Sequence, residues 1–304
     1  MNVLVTGGAG FIGSNIVDSL IDEGYHTGVV DNISTGFRGN VNPRAEFFEM
    51  DIANPLLSEV FASFKPELVI HHAAQIDVRR SILHPEQDAA ANIMGTLKLL
   101  EMSRTYEVRK IIYASSAAVY GAPQFLGITE DHPKKPQSFY GVSKLAVEPY
   151  IDVYSQLYGL DYTILRYANV YGMRQDPRGE GGVVSIFIDK LLRGESPMIY
   201  GSGEQTRDFI YIKDVVRANL AAIDHGAKTI VNIGTNRQTS TNDLLKLLTL
   251  VMGEQVHPIY QKSRAGDIEH SRLDNSLAKE VLKWEPRYSL MRGLEETFAY
   301  YKND

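Results

Sequence analysis

Short apolar runs alternate with stretches of helical periodicity through the first half of the chain. Apolar runs at Val3–Thr6, Thr27–Asp31, Glu46–Met50, Leu68–His71, Lys110–Ser115 and Tyr162–Arg166 predict strands. Apolar residues recurring every three or four positions over Phe11–Glu23, Leu56–Phe64, Pro85–Thr105 and Phe139–Tyr158 predict helices. Strict strand–helix alternation predicts an α/β protein with a doubly wound parallel sheet. The strands are apolar almost without interruption, as suits a sheet covered on both faces.

After Tyr167 the rhythm changes. Gly172–Gly182 is rich in Gly, Pro, Arg and Asp and predicts a loop. A helix over Val184–Arg193, a strand over Phe209–Ile212, a helix over Val215–His225 and a strand over Thr229–Ile233 follow. The strands are expected to return to the sheet. Helices near Asn242–Met252 and Asn275–Leu282 complete the pattern. The division this suggests is a sheet domain over 1–169 plus about 209–234. A smaller interleaved lobe takes about 170–208 and 235–304.

Composition narrows the classes. The 304 residues carry a formal charge of -6, which offers no basic footprint for nucleic acid or an anionic membrane. Any phosphate-bearing ligand must therefore be held by local arginines and main-chain amides. There are no cysteines, so disulfides, thiolate metal sites and cysteine nucleophiles are excluded. The eight histidines show no ligand spacing beyond His71-His72, and no metal is expected. No leader and no transmembrane run of about 18 apolar residues is visible, and a cytoplasmic setting is expected.

The richest motif is Asn2-Val-Leu-Val-Thr6-Gly7-Gly8-Ala9-Gly10-Phe11-Ile12-Gly13. A strand, a glycine turn and a helix start, in that order, make a seat for a diphosphate. Glycine lets the backbone approach the anion, and the helix N-terminus favours negative charge. This makes the sheet Rossmann-type. Asp31 ends the second strand, where a carboxylate bonds a ribose diol and repels a 2′-phosphate, favouring NAD over NADP. A plain solvated strand end is the other reading of Asp31. Asp51 with Ile52 after the third strand suits an adenine amine and ring. Small residues at Ala73 and Ala74 let a cofactor lie against the backbone.

Tyr140-Gly-Val-Ser-Lys144 sets a phenol and an ammonium four residues apart on one helix face. A lysine and a cationic ring beside the phenol favour the phenolate, which predicts a general base for an alcohol proton. A second match, Tyr106-Glu-Val-Arg-Lys110, lies before a strand, at the wrong edge of a parallel sheet. Ligands bind at the carboxyl ends. Ser116 ends that same strand at the right edge and is placed to bond the reacting oxygen.

These motifs together resemble the extended short-chain dehydrogenase/reductases, and within them the UDP-glucose (UDP-galactose) 4-epimerases. The resemblance runs through Thr6–Gly13, Asp31-Asn32, Asp51-Ile52, His72–Gln75, Asn92, Ser115–Gly121, Tyr140–Lys144, Arg166–Gly172, Gly201–Asp214 and Arg264–Asp267. It implies an NAD-dependent isomerase that oxidises and re-reduces C4 of a UDP-hexose, with Ser116, Tyr140 and Lys144 catalytic. It implies NAD contacts at Gly7, Gly10, Phe11, Ile12, Gly13, Asp31, Asn32, Asp51, Ile52, Ala73, Ala74, Gln75 and Asn92. It implies a sugar nucleotide held by Asn169, Val183, Ile199, Tyr200, Arg207, Arg264 and Asp267, the two arginines clamping a diphosphate. Ser271 takes the place of a residue beside the sugar C2 substituent, and its small size is expected to admit N-acetylated hexoses. A homodimer, with the helices near 85–105 and 139–158 pairing across the two-fold, is implied too. The acids that related dehydratases carry after the catalytic Ser/Thr are missing from Ser116-Ala117-Ala118. Two alternatives stay open: a UDP-glucuronate 4-epimerase, using Arg79, Arg174 or Arg178 for the carboxylate, and a non-catalytic NAD sensor.

Overall fold

The computed structural model describes residues 1–178, 182–263 and 268–303. Its first half runs β1 (Asn2–Thr6), α1 (Phe11–Asp22), β2 (His26–Asp31), β3 (Glu46–Glu49), α2 (Leu57–Phe64) and β4 (Leu68–His71). It continues with α3 (Val78–Leu83), α4 (Pro85–Ala89), α5 (Gly95–Thr105), β5 (Lys110–Ser116), α6 (Phe139–Tyr158) and β6 (Asp161–Tyr167). The second half begins β7 (Asn169–Tyr171), α7 (Val183–Leu192), β8 (Met198–Tyr200), β9 (Thr206–Arg207), β10 (Phe209–Tyr211) and α8 (Ile212–Asp224). It ends β11 (Thr229–Ile233), β12 (Thr239–Ser240), α9 (Thr241–Met252), β13 (Ile259–Gln261), α10 (Ser276–Val281) and α11 (Leu290–Asn303).

The central sheet has seven parallel strands in the order β11-β6-β5-β4-β1-β2-β3. Its two faces follow from alternation along each strand. Val3 and Val5 point to one side and join Ile16, Val17 and Leu20 of α1 and Val215, Ala218 and Ala222 of α8. Leu4 points to the other and joins Val60 and Phe61 of α2, Leu99 and Leu100 of α5, and Val147 and Ile151 of α6. The strand order reverses between β1 and β4, which opens a crevice at their carboxyl ends. The α1/α8 core runs on without a break into α7, α9 and α11 through Phe187, Leu244, Leu248 and Leu294.

Four elements depart from the sequence expectation. The run over Pro85–Thr105 is two helices joined by a π turn at Ala90–Met94. That turn holds Asn92, whose side chain is drawn to Gln75, so the widened turn accompanies a side chain aimed into the site. Phe209–Ile212 does not return to the central sheet; β10 pairs with β7, and β11 makes the return beside β6. The short helix α3 and the terminal helix α11 were not expected. In α11 the stripe Leu290, Leu294, Phe298 and Tyr301 is diluted by Gly293, Glu295, Glu296 and Thr297.

One buried polar cluster locks the sheet to α6. Arg166 on β6 and Glu148 on α6 are 1% and 3% exposed and form a two-pronged pair, Nη2 to Oε2 at 2.5 Å and Nε to Oε1 at 2.9 Å. Ser115 Oγ donates to the same carboxylate at 2.7 Å, and Arg166 Nη1 donates to the Tyr120 hydroxyl at 2.8 Å. Breaking a buried pair from one side leaves an uncompensated charge. Glu148→Ala is therefore expected to lower unfolding stability by about 3–5 kcal/mol. The double replacement Glu148→Leu with Arg166→Met should lose less. Urea unfolding with NAD present checks this; additive losses would contradict it.

Candidate active site

The glycine turn leaves no room for side chains. Gly7 has φ +71°, and a Cβ there would lie 2.6 Å from the Ala73 nitrogen. A Cβ on Gly13 would lie 2.2 Å from the Gly7 carbonyl oxygen. These contacts draw β1, α1 and the segment after β4 together at the crevice. Gly10 caps α1 and no side chain bonds that end, so the first-turn N–H groups at Phe11 and Ile12 are left for an anion.

Asp31 stands beside this turn, 8% exposed, and accepts from Ala9 N–H at 3.0 Å and Ile33 N–H at 2.8 Å. Two bonds hold the carboxylate still and leave lone pairs on both oxygens. Asn32 Nδ2 donates to Asp51 at 2.7 Å, tying the ends of β2 and β3 together. The Ile52 side chain is 6% exposed and packs against Gly95 at the start of α5. Ala73 and Ala74 line the path beside Gly7. Gln75 and Asn92 hold each other through two main-chain bonds of 2.8 and 2.9 Å. The donors and the side-chain-free cradle fit a dinucleotide.

At the carboxyl end of β5, the Ser116 hydroxyl lies close enough to the half-buried phenol of Tyr140 to act on its ionisation. Ser116 Oγ accepts from Ala118 N–H at 3.1 Å, which fixes the hydroxyl. Ser138 caps α6 by accepting from Gly141 N–H at 3.1 Å, and a Cβ on Gly141 would sit 2.7 Å from the Ala118 carbonyl. The helix therefore starts hard against the serine loop and brings Tyr140 to it. Lys144 is 4% exposed, donates to the Ala114 carbonyl at 2.9 Å and lies 5.0 Å above the Tyr113 ring.

Burial dominates the electrostatics of the tyrosine–lysine pair. In the chain's own field Tyr140 is not poised near neutrality: burial pushes its phenol up to about 12, the Ser116 hydroxyl opposes this, and Asp88 adds to it. Burial pulls Lys144 down to about 8, against the pull of Asp88. Desolvation thus sets the direction of both shifts.

The second tyrosine–lysine match is structural. Lys110 Nζ donates to the His225 carbonyl at 2.8 Å and faces Asp161 at 3.6 Å, while Tyr106 packs on Phe61. His71 is scaffold as well, bonded to Thr6 at 2.6 Å and Thr96 at 2.9 Å.

Across the crevice, β7 and β10 pair so that Asn169 N–H donates to the Asp208 carbonyl at 2.9 Å. Thr206 and Arg207 run beside residues 269–271, and Ser271 N–H donates to the Thr206 carbonyl at 3.2 Å. Arg207 and Ser271 are thereby neighbours, both half-buried. Ile199 is buried, Tyr200 and Val183 half-buried, and β8 is held by β13. Arg264 and Asp267 lie outside the described residues.

Two carboxylates were missed in the sequence. Asp208 is 1% exposed and accepts from Thr235, Asn236 and Leu273 N–H groups, pinning two loops beside Arg207. Burial pushes it up to about 6. Asp88, four residues before Asn92, bonds Gln75 and Asn92. Its spacing from Asn92 was the available signal. Among the described residues no group of three or more His, Cys, Asp or Glu is placed to hold a metal, and no helix is long and apolar enough to cross a membrane.

A Rossmann-type crevice with a Ser–Tyr–Lys set at its mouth defines a short-chain dehydrogenase/reductase. Residues 3–234 match the NAD-dependent epimerase/dehydratase family, and the chain belongs to it. A UDP-glucose 4-epimerase of Mycolicibacterium smegmatis is 41% identical over 310 residues, covering 100% of this chain and 99% of the relative. The structure of a Thermotoga maritima UDP-glucose 4-epimerase with UDP-glucose superposes with a TM-score of 0.98 at 47% identity, covering 100% and 99% of the two chains. That of a Methanobrevibacter ruminantium UDP-N-acetylglucosamine 4-epimerase, in complex with UDP-N-acetylmuramic acid, gives 0.95 at 34% identity, covering 99% and 98%. The chain is an NAD-dependent isomerase of the UDP-sugar 4-epimerase group.

The cradle can be tested without turnover. Gly13→Ala forces a Cβ into the Gly7 carbonyl. It is expected to cut NAD carried through purification at least tenfold, measured on nucleotide released by acid. Full retention would contradict the cradle.

Proposed function

We propose that this enzyme interconverts the C4 epimers of a neutral UDP-hexose, taking both plain and N-acetylated sugars. The observation that carries the reading is Tyr140 set beside Ser116 with Lys144 one helical turn on, at the carboxyl edge of β5. Bound NAD supplies hydride acceptance and return at the sugar C4, and a positive ring charge beside Tyr140. Tyr140 takes the proton of the 4-hydroxyl and returns it after the 4-keto sugar has turned its other face. Ser116 holds the reacting oxygen in place through both states. Lys144 lends its ammonium to the phenolate and to the cofactor ribose. Arg207, with Arg264, holds the substrate diphosphate, the pivot about which the keto sugar turns.

A neutral sugar is favoured over a uronate by what two of the three candidate arginines already do. Arg174 is paired with Asp18 at 2.8 Å, and Arg178 with Asp176 at 3.0 Å. Ser271, beside Arg207, leaves space where a larger residue would press on a C2 substituent. A non-catalytic sensor has no use for a serine–tyrosine pair set at the cofactor end of the crevice.

A homodimer through α5 and α6 belongs to the same reading. Met94, Tyr150, Val153, Leu157 and Tyr158 are large, apolar and 45–66% exposed on these helices. They adjoin a groove of about 500 Å³ lined by Ile52, Leu57, Leu97 and Tyr154 among others. An exposed patch of this kind is characteristic of an interface.

Incubation with UDP-Glc, UDP-Gal, UDP-GlcNAc and UDP-GlcA, followed by separation of the epimers, tests the substrate. Turnover of the first three and none of the fourth is expected; exchange of UDP-GlcA alone would overturn the proposal. Tyr140→Phe should lower kcat by at least about 10²–10⁴-fold while keeping NAD. Ser271→Tyr should lose UDP-GlcNAc exchange selectively. Light scattering tests the dimer: Leu157→Asp should run as a monomer, and a parent enzyme that is itself monomeric would refute the interface.

A further inference from the structure

Asp88 lies on α4 at 1% exposure. Its carboxylate accepts from Gln75 Nε2 at 2.9 Å and from Asn92 Nδ2 at 3.2 Å. Asn92 Nδ2 is also 3.0 Å from Ser143 Oγ, which in turn donates to the Tyr140 carbonyl at 3.0 Å. Short contacts thus tie this carboxylate to the turn of α6 that carries Tyr140 and Lys144. Two neutral amide donors are thin compensation for a carboxylate so deep, and buried charge calls for an opposite charge.

The ionisable groups packed around the site leave one candidate. His71 and His72 are held neutral by burial, with Lys144 adding to the effect. Tyr113 on β5 is kept neutral by burial. Glu148 on α6 is engaged with Arg166. Arg79, Arg80 and His84, on α3 and just after it, are exposed to solvent. Among the described residues Lys144 is the buried cation that remains to answer Asp88, and Asp88 is the group that upholds its charge against burial. The same carboxylate opposes ionisation of Tyr140.

Resting on the assignment of Tyr140 and Lys144 to the proton chemistry, we infer that Asp88 is a positioning residue. It is the buried carboxylate joined through Asn92 and Ser143 to the turn of α6 that carries both groups, and its charge sets the pH window in which they work. Removing its charge withdraws support from the ammonium and repulsion from the phenolate. Both groups then lose their protons at lower pH. The acid limb, where the phenol must ionise, and the alkaline limb, where the ammonium must persist, move the same way. A packing defect lowers the height of the profile and leaves both limbs in place.

The test compares Asp88→Asn with the parent and with Ser143→Ala, all NAD-loaded, in kcat/KM against pH. Both limbs of Asp88→Asn are expected to move to lower pH by roughly half a unit to one unit. Ser143→Ala changes the height only. Asp88→Ser, neutral and smaller, carries the same expected shift if the asparagine variant folds poorly. A second readout does not depend on turnover: the Lys144 side-chain resonance, assigned with Lys144→Met, is followed through pH by carbon NMR. It should titrate near 8 in the protein as the chain alone sets it and lower in the Asp88 variants. Limbs and resonance that stay at the parent's positions overturn the inference even where epimerase activity is intact. A moved resonance in a parent that epimerises no UDP-sugar supports the counter-charge and overturns the functional reading instead.

Discussion

The buried pair between Arg166 and Glu148 is the constraint on which the site depends. The proposed catalysis needs a serine at the end of one strand and a tyrosine on a helix to meet within hydrogen-bond reach. Strand and helix belong to different layers, and apolar packing alone tolerates small slides between layers. The ion pair does not, because a carboxylate gripped by two guanidinium nitrogens and the Ser115 hydroxyl has one geometry. Ser115 precedes Ser116, and Glu148 follows Lys144 and Tyr140 at successive helical turns. One polar knot therefore sets the register of all three site residues. The Tyr120 hydroxyl extends it to Asn232 on β11 at 2.6 Å, so four neighbouring elements share one reference point.

The electrostatic picture is built on burial more than on pairing. Tyr140 and Lys144 are each driven toward their neutral forms by desolvation. A cationic cofactor ring is then worth more than it would be in water, since the crevice has little else to screen it. The chain lays out a hydrogen-bonded serine and a reluctant acid. On the proposed mechanism, the charge that makes the acid a base would come from the cofactor, which would tie proton transfer to an occupied cradle.

Most of the sheet was legible because parallel strands buried on both faces read as unbroken apolar runs. The glycine turn was legible because Gly7 and Gly13 both exclude a Cβ. Topology alone, the carboxyl edge against the amino edge, separated Tyr140 from the decoy at Tyr106. The π turn at Ala90–Met94 was not legible, since its residues continue the helical period and only the tertiary bond to Gln75 marks it. The small two-stranded sheets were hidden too: two- and three-residue strands such as β9 and β12 carry no alternation. Asp88 and Asp208 carried no sequence signal of burial, since only the fold encloses them.

The central claim is oxidation and re-reduction at C4 of the sugar, and the hydrogen on that carbon tests it most directly. Whichever UDP-hexose turns over is epimerised in D2O and the product is examined by proton NMR. The account predicts that the product keeps its original hydrogen at C4, with no deuterium there. Deuterium at C4 would mean that this hydrogen leaves and returns as a proton exchanged with solvent, and would contradict it.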